Sequence, residues 1–424
     1  MPTATRNTLS PADLAWLRVQ TPESLSVTTV ALFSGEPIDE ACLKSRIEDR
    51  LLAEPRFRQR IESPHLSWAR PRWLEHDAFQ LDDHFLRTTL GDSPSAGTFD
   101  ALLSELRSSP LDDALPLWQV HLVHLGTDQS AIVLRVHASI ADSSGALGLA
   151  LRLTDDDPEG GMKTAELGLQ HAIPSHEILE TTAKNTASTR TLCKLISSRT
   201  DRDSPLRGQP TGARHLAWSG PVELKRLEKE AVGHNASTID ALLSGVIGAL
   251  RSAVHSKDVP AENLELRAVV PINLRQEADS QVSTRMALGL LHLPLGGTTP
   301  GERLSQAAEA IERLRRSSGQ MAILGPDARQ GLSMTELEER SLRLLGKKAT
   351  VMLGIADGPE EATGVCGQPL TDLLWWPAEL GEISLGMSMV TYAGNIRFGV
   401  CCDTDLDLDP GVVAANMVAA CESL

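Results

Sequence analysis

Two pairs of apolar runs, one in each half of the chain, place the strongest constraint on the fold. The runs 118–125 and 131–137 lie on either side of a loop with Gly-Thr-Asp-Gln at 126–129, and the runs 382–391 and 395–402 flank Tyr-Ala-Gly. Apolar runs of strand length on either side of a short turn predict β-hairpins. The chain is therefore expected to build β-structure in both halves.

Helical and strand patterns alternate on either side of these hairpins. Ser10 is expected to cap a helix over 11–17 that begins with Pro11, and the β-branched run 26–33 predicts a strand. The other predicted helices are 41–52, 99–106, 146–153, 238–254, 303–316 and 411–423, and the other predicted strands are 266–271 and 287–294. Because 424 residues are too many for one ordinary core, the alternation predicts two α/β domains with mixed sheets.

The boundary between the two domains is indicated by a change of composition. After residue 155 the chain passes through Asp-Asp-Pro and Gly-Gly and becomes rich in Ser, Thr, Lys and Arg. We predict an N-terminal domain over 1–155, a polar linker over 156–211 and a C-terminal domain over 212–424.

Charge and hydropathy exclude several classes of function. Lys and Arg number 40 against 56 Asp and Glu, which gives a net charge of −16 and argues against a nucleic-acid partner, since phosphate contacts need a basic face. No apolar stretch reaches the ~18 residues of a membrane span, and the first ten residues carry no signal-peptide pattern. The sequence thus predicts a cytoplasmic protein that would meet a membrane or lipid droplet only at its surface.

The cysteine, histidine and carboxylate patterns predict neither disulfides nor a metal site. The six Cys form no C-x-x-C pair, so we expect buried thiols of a reducing compartment rather than disulfides. His171, His176 and Glu177 lack the spacing of a helical zinc pair, and the alternating aspartates 403–409 lack the glycine and distal Glu of a calcium loop. No metal site is predicted.

Several segments, in order along the chain, resemble the bacterial wax ester synthase/diacylglycerol acyltransferase family. They are LSPADLAWLRVQTPESLSVTTVALF (9–33), PRFRQRI (55–61), PLD and PLW (110–118), VLRVHASIADSSG (133–145), STIDALLSGVIGALR (237–251), RAVVPINLR (267–275) and SMVTYAGNIRFGVCCD (388–403). The resemblance implies the two-domain, chloramphenicol acetyltransferase-like fold of CoA-dependent acyltransferases, with a tunnel between the domains.

The resemblance also implies a mechanism and a set of site residues. In the family motif H-H-x-x-x-D-G, the second His takes a proton from an alcohol that attacks the thioester of acyl-CoA, and the Asp fixes local structure. On the matching positions His137 and Asp142 are the catalytic candidates. Trp118, Ser143, Asp240 and Arg275 are the candidates for substrate binding. No cofactor is implied, acyl-CoA or an acyl chain would be the small-molecule partner, and no protein partner is indicated.

The chain differs from the family at several polar positions of the family motifs, including the position of the catalytic base. Ala138 stands at the second His, Ser143 at the Gly, Ile239 at the Asn of T-V-N-D and Thr284 near the entry to an interior strand. Loss of a general base lowers a rate by ~10²–10⁴-fold. These departures predict a family member with lost or weak O-acyltransferase activity that still binds acyl-CoA or a neutral-lipid-type substrate.

Other interpretations stay open at this point. The protein could be an active acyl-CoA-dependent O-acyltransferase that uses His137 or another base, or it could act on a carrier-bound substrate as condensation domains do. Ser143 could simply cap a helix anchored by Asp142. Trp118 and His137 could be core partners, facing each other if Leu125 lies opposite Ser130.

Arg56, Arg58 and Arg60 form a basic run in an acidic protein. The run suits CoA phosphates, anionic lipid or a solvated edge.

Overall fold

The computed structural model describes residues 8–63, 71–91, 96–156, 201, 204–275, 284–317, 321–324 and 334–424. Two large mixed sheets with helices packed on them, and a small antiparallel sheet of two strands, β2 (Gln59–Glu62) and β3 (Arg72–Glu75), make up this part of the chain. The helices are α1 (Pro11–Val19), α2 (Glu40–Arg50), α3 (Ala96–Ser108), α4 (Ser143–Leu151), α5 (Leu224–Gly233), α6 (Thr238–His255), α7 (Pro300–Arg316), α8 (Met334–Lys348) and α9 (Pro410–Glu422). The strands are β1 (Val27–Ser34), β2 (Gln59–Glu62), β3 (Arg72–Glu75), β4 (Phe85–Leu90), β5 (Trp118–Leu125), β6 (Gln129–His137), β7 (Arg214–Trp218), β8 (Val222–Glu223), β9 (Glu265–Asn273), β10 (Met286–Pro294), β11 (Ala322–Leu324), β12 (Val351–Asp357), β13 (Gly364–Val365), β14 (Gln368–Trp376), β15 (Leu385–Tyr392) and β16 (Asn395–Asp403).

Both large sheets mix parallel and antiparallel pairs. The first has the order β13-β14-β1-β6-β5-β4, with β4 and β5 parallel. The second has the order β11-β10-β9-β12-β15-β16-β7, with β8 beside β16, and β12 runs parallel to both β9 and β15. The predicted α/β fold with two mixed sheets is confirmed.

One excursion of the chain joins the two sheets. The hairpin β13–β14 comes from the second half of the sequence, yet β14 pairs antiparallel with β1 in the first sheet, with Thr29 opposite Trp376. Residues 364–376 therefore complete the N-terminal sheet. Most of the predicted linker, residues 157–200 and 202–203, lies outside the described residues, and the division into 1–155, 156–211 and 212–424 stays a prediction.

The helix boundaries follow the local signals in the sequence. Ser10 caps α1 in a capping box, because its hydroxyl accepts from the Asp13 N–H while Asp13 Oδ2 accepts from the Ser10 N–H. The side chains of Asp39, Thr299 and Asp409 likewise accept hydrogen bonds from backbone N–H groups in the first turns of α2, α7 and α9.

The register of the first hairpin differs from the prediction by one residue. Its loop holds three residues, with Gly126 at φ 77°, so Leu125 lies opposite Gln129 and Trp118 opposite Val136. The left-handed conformation that glycine tolerates closes the turn one residue earlier than expected. The predicted pairing of Trp118 with His137 is therefore wrong.

The prediction that all cysteines are buried thiols is also wrong in part. Cys42 on α2 and Cys366 in the β13–β14 turn form a disulfide. The free thiols of Cys401, Cys402 and Cys421 are buried, as expected. Cys42 and Cys366 are 324 positions apart, and only the pairing of β14 with β1 brings them together.

A buried ion cluster fastens the segment after β14 to both sheets. The carboxylate of Glu379 accepts from Arg214 Nε at 2.8 Å and from Arg107 Nε at 3.4 Å, and Arg214 also pairs with Asp403. Arg107 Nη2 donates to the Pro377 carbonyl at 2.6 Å. Burial alone would raise the pKa of Glu379, but the two guanidinium groups outweigh it and hold that pKa below its ordinary value.

Replacing Glu379 with Ala should lower the free energy of unfolding by about 3–5 kcal/mol, because two buried guanidinium groups lose their shared partner. Denaturant unfolding is the measurement. The matched control is Glu382→Ala in the same segment, since Glu382 is 51% exposed and its partner Arg207 keeps the carbonyls of Ala349 and Gly346 as acceptors. The control should change stability by no more than about 1 kcal/mol. Equal losses in both variants would contradict a structural role for the buried cluster.

Candidate active site

The motif residues 137–145 form the turn between β6 and α4. Asp142 is fully buried and caps α4, with its Oδ1 accepting from the Gly145 N–H at 2.8 Å. A carboxylate at a helix N-terminus meets unpaired N–H groups and the positive end of the helix dipole. The local sequence thus explains why the chain turns here and why Asp142 points inward.

Two residues of the second half of the chain hold the same carboxylate. Arg275, just after β9, donates from Nη1 to Asp142 Oδ1 at 2.8 Å, and the backbone N–H of Arg285, just before β10, donates to Oδ2 at 2.9 Å. Asp142 therefore connects the turn of the first sheet to the second sheet. The structure brings together two of the predicted site residues, Asp142 and Arg275.

His137 is buried and has both ring nitrogens engaged. Nδ1 accepts from the Ser139 backbone N–H at 3.0 Å and lies 2.7 Å from the Ser139 hydroxyl. Nε2 lies 2.9 Å from Gln20 Oε1, and the Ser26 N–H donates to that same oxygen at 3.1 Å. The ring is therefore neutral, with its proton on Nε2 and its lone pair directed at Ser139. Burial lowers the pKa of His137 to about 4.

Ala138 lies in an apolar environment. Its side chain is 0% exposed and belongs to an apolar cluster that connects α1, β9, β10 and α8. We name this set the Ala138 cluster; it includes Trp16, Val19, Met286, Leu342 and Leu380. The Ala138 N–H donates to the Ser26 carbonyl at 2.8 Å, and the Thr284 hydroxyl donates to the Ala138 carbonyl at 3.2 Å. A methyl group therefore stands where the family motif has its second His.

Ser143 is buried and is tied to the first sheet. Its hydroxyl accepts from the Ala378 N–H at 3.0 Å and from Thr28 Oγ1 at 3.1 Å, while its carbonyl accepts from the Trp375 indole at 3.0 Å. These contacts link the motif turn to β1 and to the end of β14. The hydroxyl is thus used in packing the turn against the sheet.

The remaining predicted residues lie in structural settings. Trp118 is fully buried, donates from Nε1 to the Phe57 carbonyl at 2.8 Å and stacks on His84 at a centroid distance of 4.5 Å. Asp240 closes a capping box with Ser237 at the start of α6. Trp118 shares a buried apolar cluster with Ile140 and Ala141 of the motif turn. Their assignment to substrate binding stays a prediction.

Gln20 and Asp13, which the sequence did not single out as functional, surround the motif together with Arg56 of the basic run. Gln20 holds His137, as described above. The buried carboxylate of Asp13 pairs with Arg56 at 2.9 Å, and Arg56 Nη1 also donates to the carbonyls of Ser139 and Ile140 at 3.2 and 3.1 Å. Burial raises the pKa of Asp13, against the opposing charge of Arg56. Arg56 of the basic run is thus bound to the motif turn. A role of this run toward CoA phosphates or anionic lipid stays a prediction.

A pocket of about 310 Å³ opens beside the Ala138 cluster. Val19, Leu342 and Leu380 belong to both the pocket wall and the cluster. The rim carries Lys347 and Glu23, so its charge is mixed. The volume lies at the lower end of the range for small-molecule sites.

The described part of the chain holds no group of three or more His, Cys, Asp or Glu side chains arranged to bind a metal ion. None of its helices alone is long and apolar enough to cross a membrane. α5 and α6 reach that length only as a pair, which is bent by 96°. His171, His176, Glu177 and Cys193 lie outside the described residues.

The lowered pKa of His137 predicts a pH dependence of stability. A His whose pKa falls from 6.5 in the unfolded chain to about 4 in the folded protein stabilises the fold fully above pH 6.5, and this stabilisation is lost as the pH falls toward 4. His137→Gln should be less stable at pH 7. Between pH 7 and pH 4, however, it should lose roughly 3 kcal/mol less than the unsubstituted protein. Unfolding free energies measured across this range test the difference, and parallel curves would show that His137 does not titrate as the structure indicates.

Two family models together cover almost the whole chain. The family model for the wax ester synthase/diacylglycerol acyltransferase catalytic domain matches residues 9–295, and the model for the C-terminal domain of that family matches residues 283–424. A probable diacylglycerol O-acyltransferase of Mycobacterium tuberculosis strain H37Rv is 22% identical over 436 residues, covering 97% of this chain and 94% of that protein.

Solved structures support the same fold. The wax ester synthase/diacylglycerol acyltransferase of Marinobacter aquaeolei VT8 superposes with a TM-score of 0.70 at 19% identity, covering 98% of each chain. The starter condensation domain of rhizomide synthetase, a variant solved in complex with C8-CoA, gives a TM-score of 0.60 at 14% identity, covering 98% of this chain and 95% of that one. The expected acyltransferase fold is thereby confirmed, and the chain belongs to the wax ester synthase/diacylglycerol acyltransferase family.

Proposed function

We propose that this protein binds acyl-CoA or a related acyl chain and has lost all or nearly all O-acyl transfer. One observation carries the proposal. The position from which a family member would remove the alcohol proton is the methyl group of Ala138, buried in an apolar cluster. A methyl group can neither accept a proton nor orient a hydroxyl.

The neighbouring imidazole is poorly suited to replace the missing base. A general base must present a lone pair to the alcohol within hydrogen-bond reach. In His137 the lone pair of Nδ1 is directed at Ser139 and the proton of Nε2 at Gln20. A pKa of about 4 also makes the ring a weak proton acceptor at neutral pH. Both geometry and basicity argue for a structural role.

Binding of an acyl chain is supported by the pocket and by the family. The pocket beside the Ala138 cluster has apolar walls formed in part by Val19, Leu342 and Leu380. The family name and the names of the relatives refer to acyl transfer. The proposal places the protein in the cytoplasm, with contact to a membrane or lipid droplet limited to its surface.

A second candidate is an active acyltransferase that uses a different base, and Asp13 is the residue that favours it. Its buried carboxylate has a raised pKa, and its Oδ1 lies 3.4 Å from the Thr284 hydroxyl that bonds to the Ala138 carbonyl. The Arg56 ion pair opposes this role, because a guanidinium partner stabilises the carboxylate and reduces its basicity.

The two candidates are separated by assaying CoA release from acyl-CoA with long-chain alcohols and diacylglycerol. Under our proposal the unsubstituted protein turns over at or near the uncatalysed rate, and His137→Ala and Asp13→Asn leave that rate unchanged. Ala138→His should raise transfer above the unsubstituted protein. The gain should stay well below ~10²–10⁴-fold, since Ser143, Ile239 and Thr284 still depart from the family.

The matched control is Ala138→Asn, which introduces a polar side chain of similar reach without a titratable base and should give no gain. Far-ultraviolet circular dichroism and melting curves confirm that each variant is folded, because a larger side chain must fit among the packed residues around Ala138. Turnover of the unsubstituted protein at ordinary enzyme rates would overturn the proposal. Its abolition by His137→Ala or by Asp13→Asn would then identify the base.

Binding gives an independent prediction for the proposed function. Titration with a non-hydrolysable acyl-CoA thioether should show saturable binding, detected by calorimetry. Leu342→Trp should weaken it several-fold, because a larger side chain fills the wall shared by the pocket and the Ala138 cluster. Leu250→Val, a conservative change on the buried face of α6, is the control and should leave the affinity unchanged. Absence of saturable binding to the unsubstituted protein would remove the acyl-binding half of the proposal.

A further inference from the structure

Cys42 and Cys366 join two parts of the chain that the sequence keeps far apart. Cys42 lies on α2, Cys366 lies in the turn between β13 and β14, and their Cα atoms are 6.0 Å apart in the disulfide. Cys366 (φ 53°) and Gly367 (φ 76°) both adopt the left-handed conformation and form a tight two-residue turn between β13 and β14. The Cys366 sulfur is directed toward α2, where it bonds to Cys42.

Polar contacts hold the same turn against the N-terminal half. The Asp155 N–H donates to the Gly364 carbonyl at 2.7 Å, and Asp155 Oδ2 accepts from the Gly367 N–H at 3.1 Å. Asp155 Oδ1 in turn pairs with Arg46 of α2 at 2.6 Å. The disulfide is thus the covalent member of a clamp that binds the β13–β14 hairpin to α2.

The clamped hairpin leads directly to the motif turn. β14 runs from the clamp to Trp376 along β1. At its far end the Trp375 indole and the Ala378 N–H bind the carbonyl and the hydroxyl of Ser143 at 3.0 Å each. The clamp holds the start of β14, and the end of β14 supports the motif turn. Fastening the start of this strand therefore limits the movement of its end.

Accessibility separates this pair from the other described cysteines. Cys42 and Cys366 are each partly exposed, and the adjoining Gly367 is exposed. Cys401, Cys402 and Cys421 are buried, and burial raises the pKa of Cys401 and of Cys421 to about 12 and raises that of Cys402 as well. Thiol–disulfide exchange requires a thiolate that the reagent can reach. Cys42 and Cys366 meet the access requirement, whereas the three buried thiols do not.

We infer that Cys42 and Cys366 form a reversible thiol–disulfide modification site that fastens the β13–β14 hairpin to α2. The oxidant is a low-molecular-weight disulfide, RSSR. The thiolate of one cysteine attacks RSSR, forming a mixed disulfide and releasing RS⁻. The thiolate of the other then displaces the second RS⁻ and closes the protein disulfide. Two protein thiols lose two protons and two electrons, and one RSSR becomes two RSH.

Differential alkylation tests the site on the full chain. The native protein is equilibrated with oxidised glutathione, treated with iodoacetamide, digested without reductant and mapped by mass spectrometry. We expect a cross-linked peptide that contains Cys42 and Cys366, which dithiothreitol followed by a second, isotopically labelled iodoacetamide treatment converts to two alkylated peptides. The peptides of Cys401, Cys402 and Cys421 should stay unmodified in the native protein and serve as the internal control. Free alkylation of Cys42 and Cys366 after oxidation would overturn the inference.

Thermal melting tests the fastening itself. Reduction of the unsubstituted protein should lower Tm by several degrees, because the disulfide closes a loop of more than 300 residues in the unfolded chain. Hydrogen exchange of the amides in 368–378 should become faster at the same time. Cys42→Ser and Cys366→Ser, singly and together, should melt near the reduced value and no longer respond to reductant. A cross-linked protein whose Tm and exchange are the same after reduction would show that the bond fastens nothing.

Discussion

The buried carboxylate of Asp142 is the interaction on which the motif region depends. Removing a carboxylate from water is costly unless charge and hydrogen bonds compensate for it. Here both halves of the chain supply the compensation. The first half provides an N–H group in the first turn of α4, and the second half provides the guanidinium of Arg275 and the backbone N–H of Arg285. The two sheets can separate at this point only by leaving a charge unpaired, so the Asp142–Arg275 pair fixes their relation whether or not chemistry takes place beside it.

The framework around the motif is therefore independent of the missing imidazole. Arg56 holds the carbonyls of the motif turn, Ser143 ties the turn to β14, and the Glu379 cluster anchors the segment that follows. None of these contacts involves the side chain at position 138. A His-to-Ala change there removes a proton acceptor and adds apolar packing, while every charge in the surrounding network keeps its partner. Under the proposed function, this is how the chain keeps the family fold, end to end, without the group that the family chemistry needs.

Local signals were sufficient to predict much of the fold. Capping residues such as Ser10 marked helix starts, and apolar runs marked β5, β6, β15 and β16. The resemblance supplied the fold family and placed Asp142 and Arg275 in one site. β14 was missed, because its place beside β1 arises from pairing across the whole chain and not from its own pattern.

The errors have physical causes of the same kind. The hairpin register depended on the left-handed turn at Gly126, and the disulfide depended on a contact between residues 324 positions apart. The locked state of His137 depended on Gln20, which no motif singled out. Spacing in the sequence indicates which residues lie on one face of a single helix or strand. These three features depend instead on a turn conformation or on contacts with residues far away in the sequence.

The central claim is that a folded acyltransferase framework lacks a working base, and a single-turnover experiment tests it most directly. Protein in excess is mixed with a long-chain acyl-CoA and a saturating alcohol, and thioester cleavage is followed over time from pH 6 to pH 9. The account predicts that cleavage follows the buffer rate at every pH while the acyl-CoA remains bound. A fast first turnover, with a pH dependence that reports a titrating group on the protein, would contradict it.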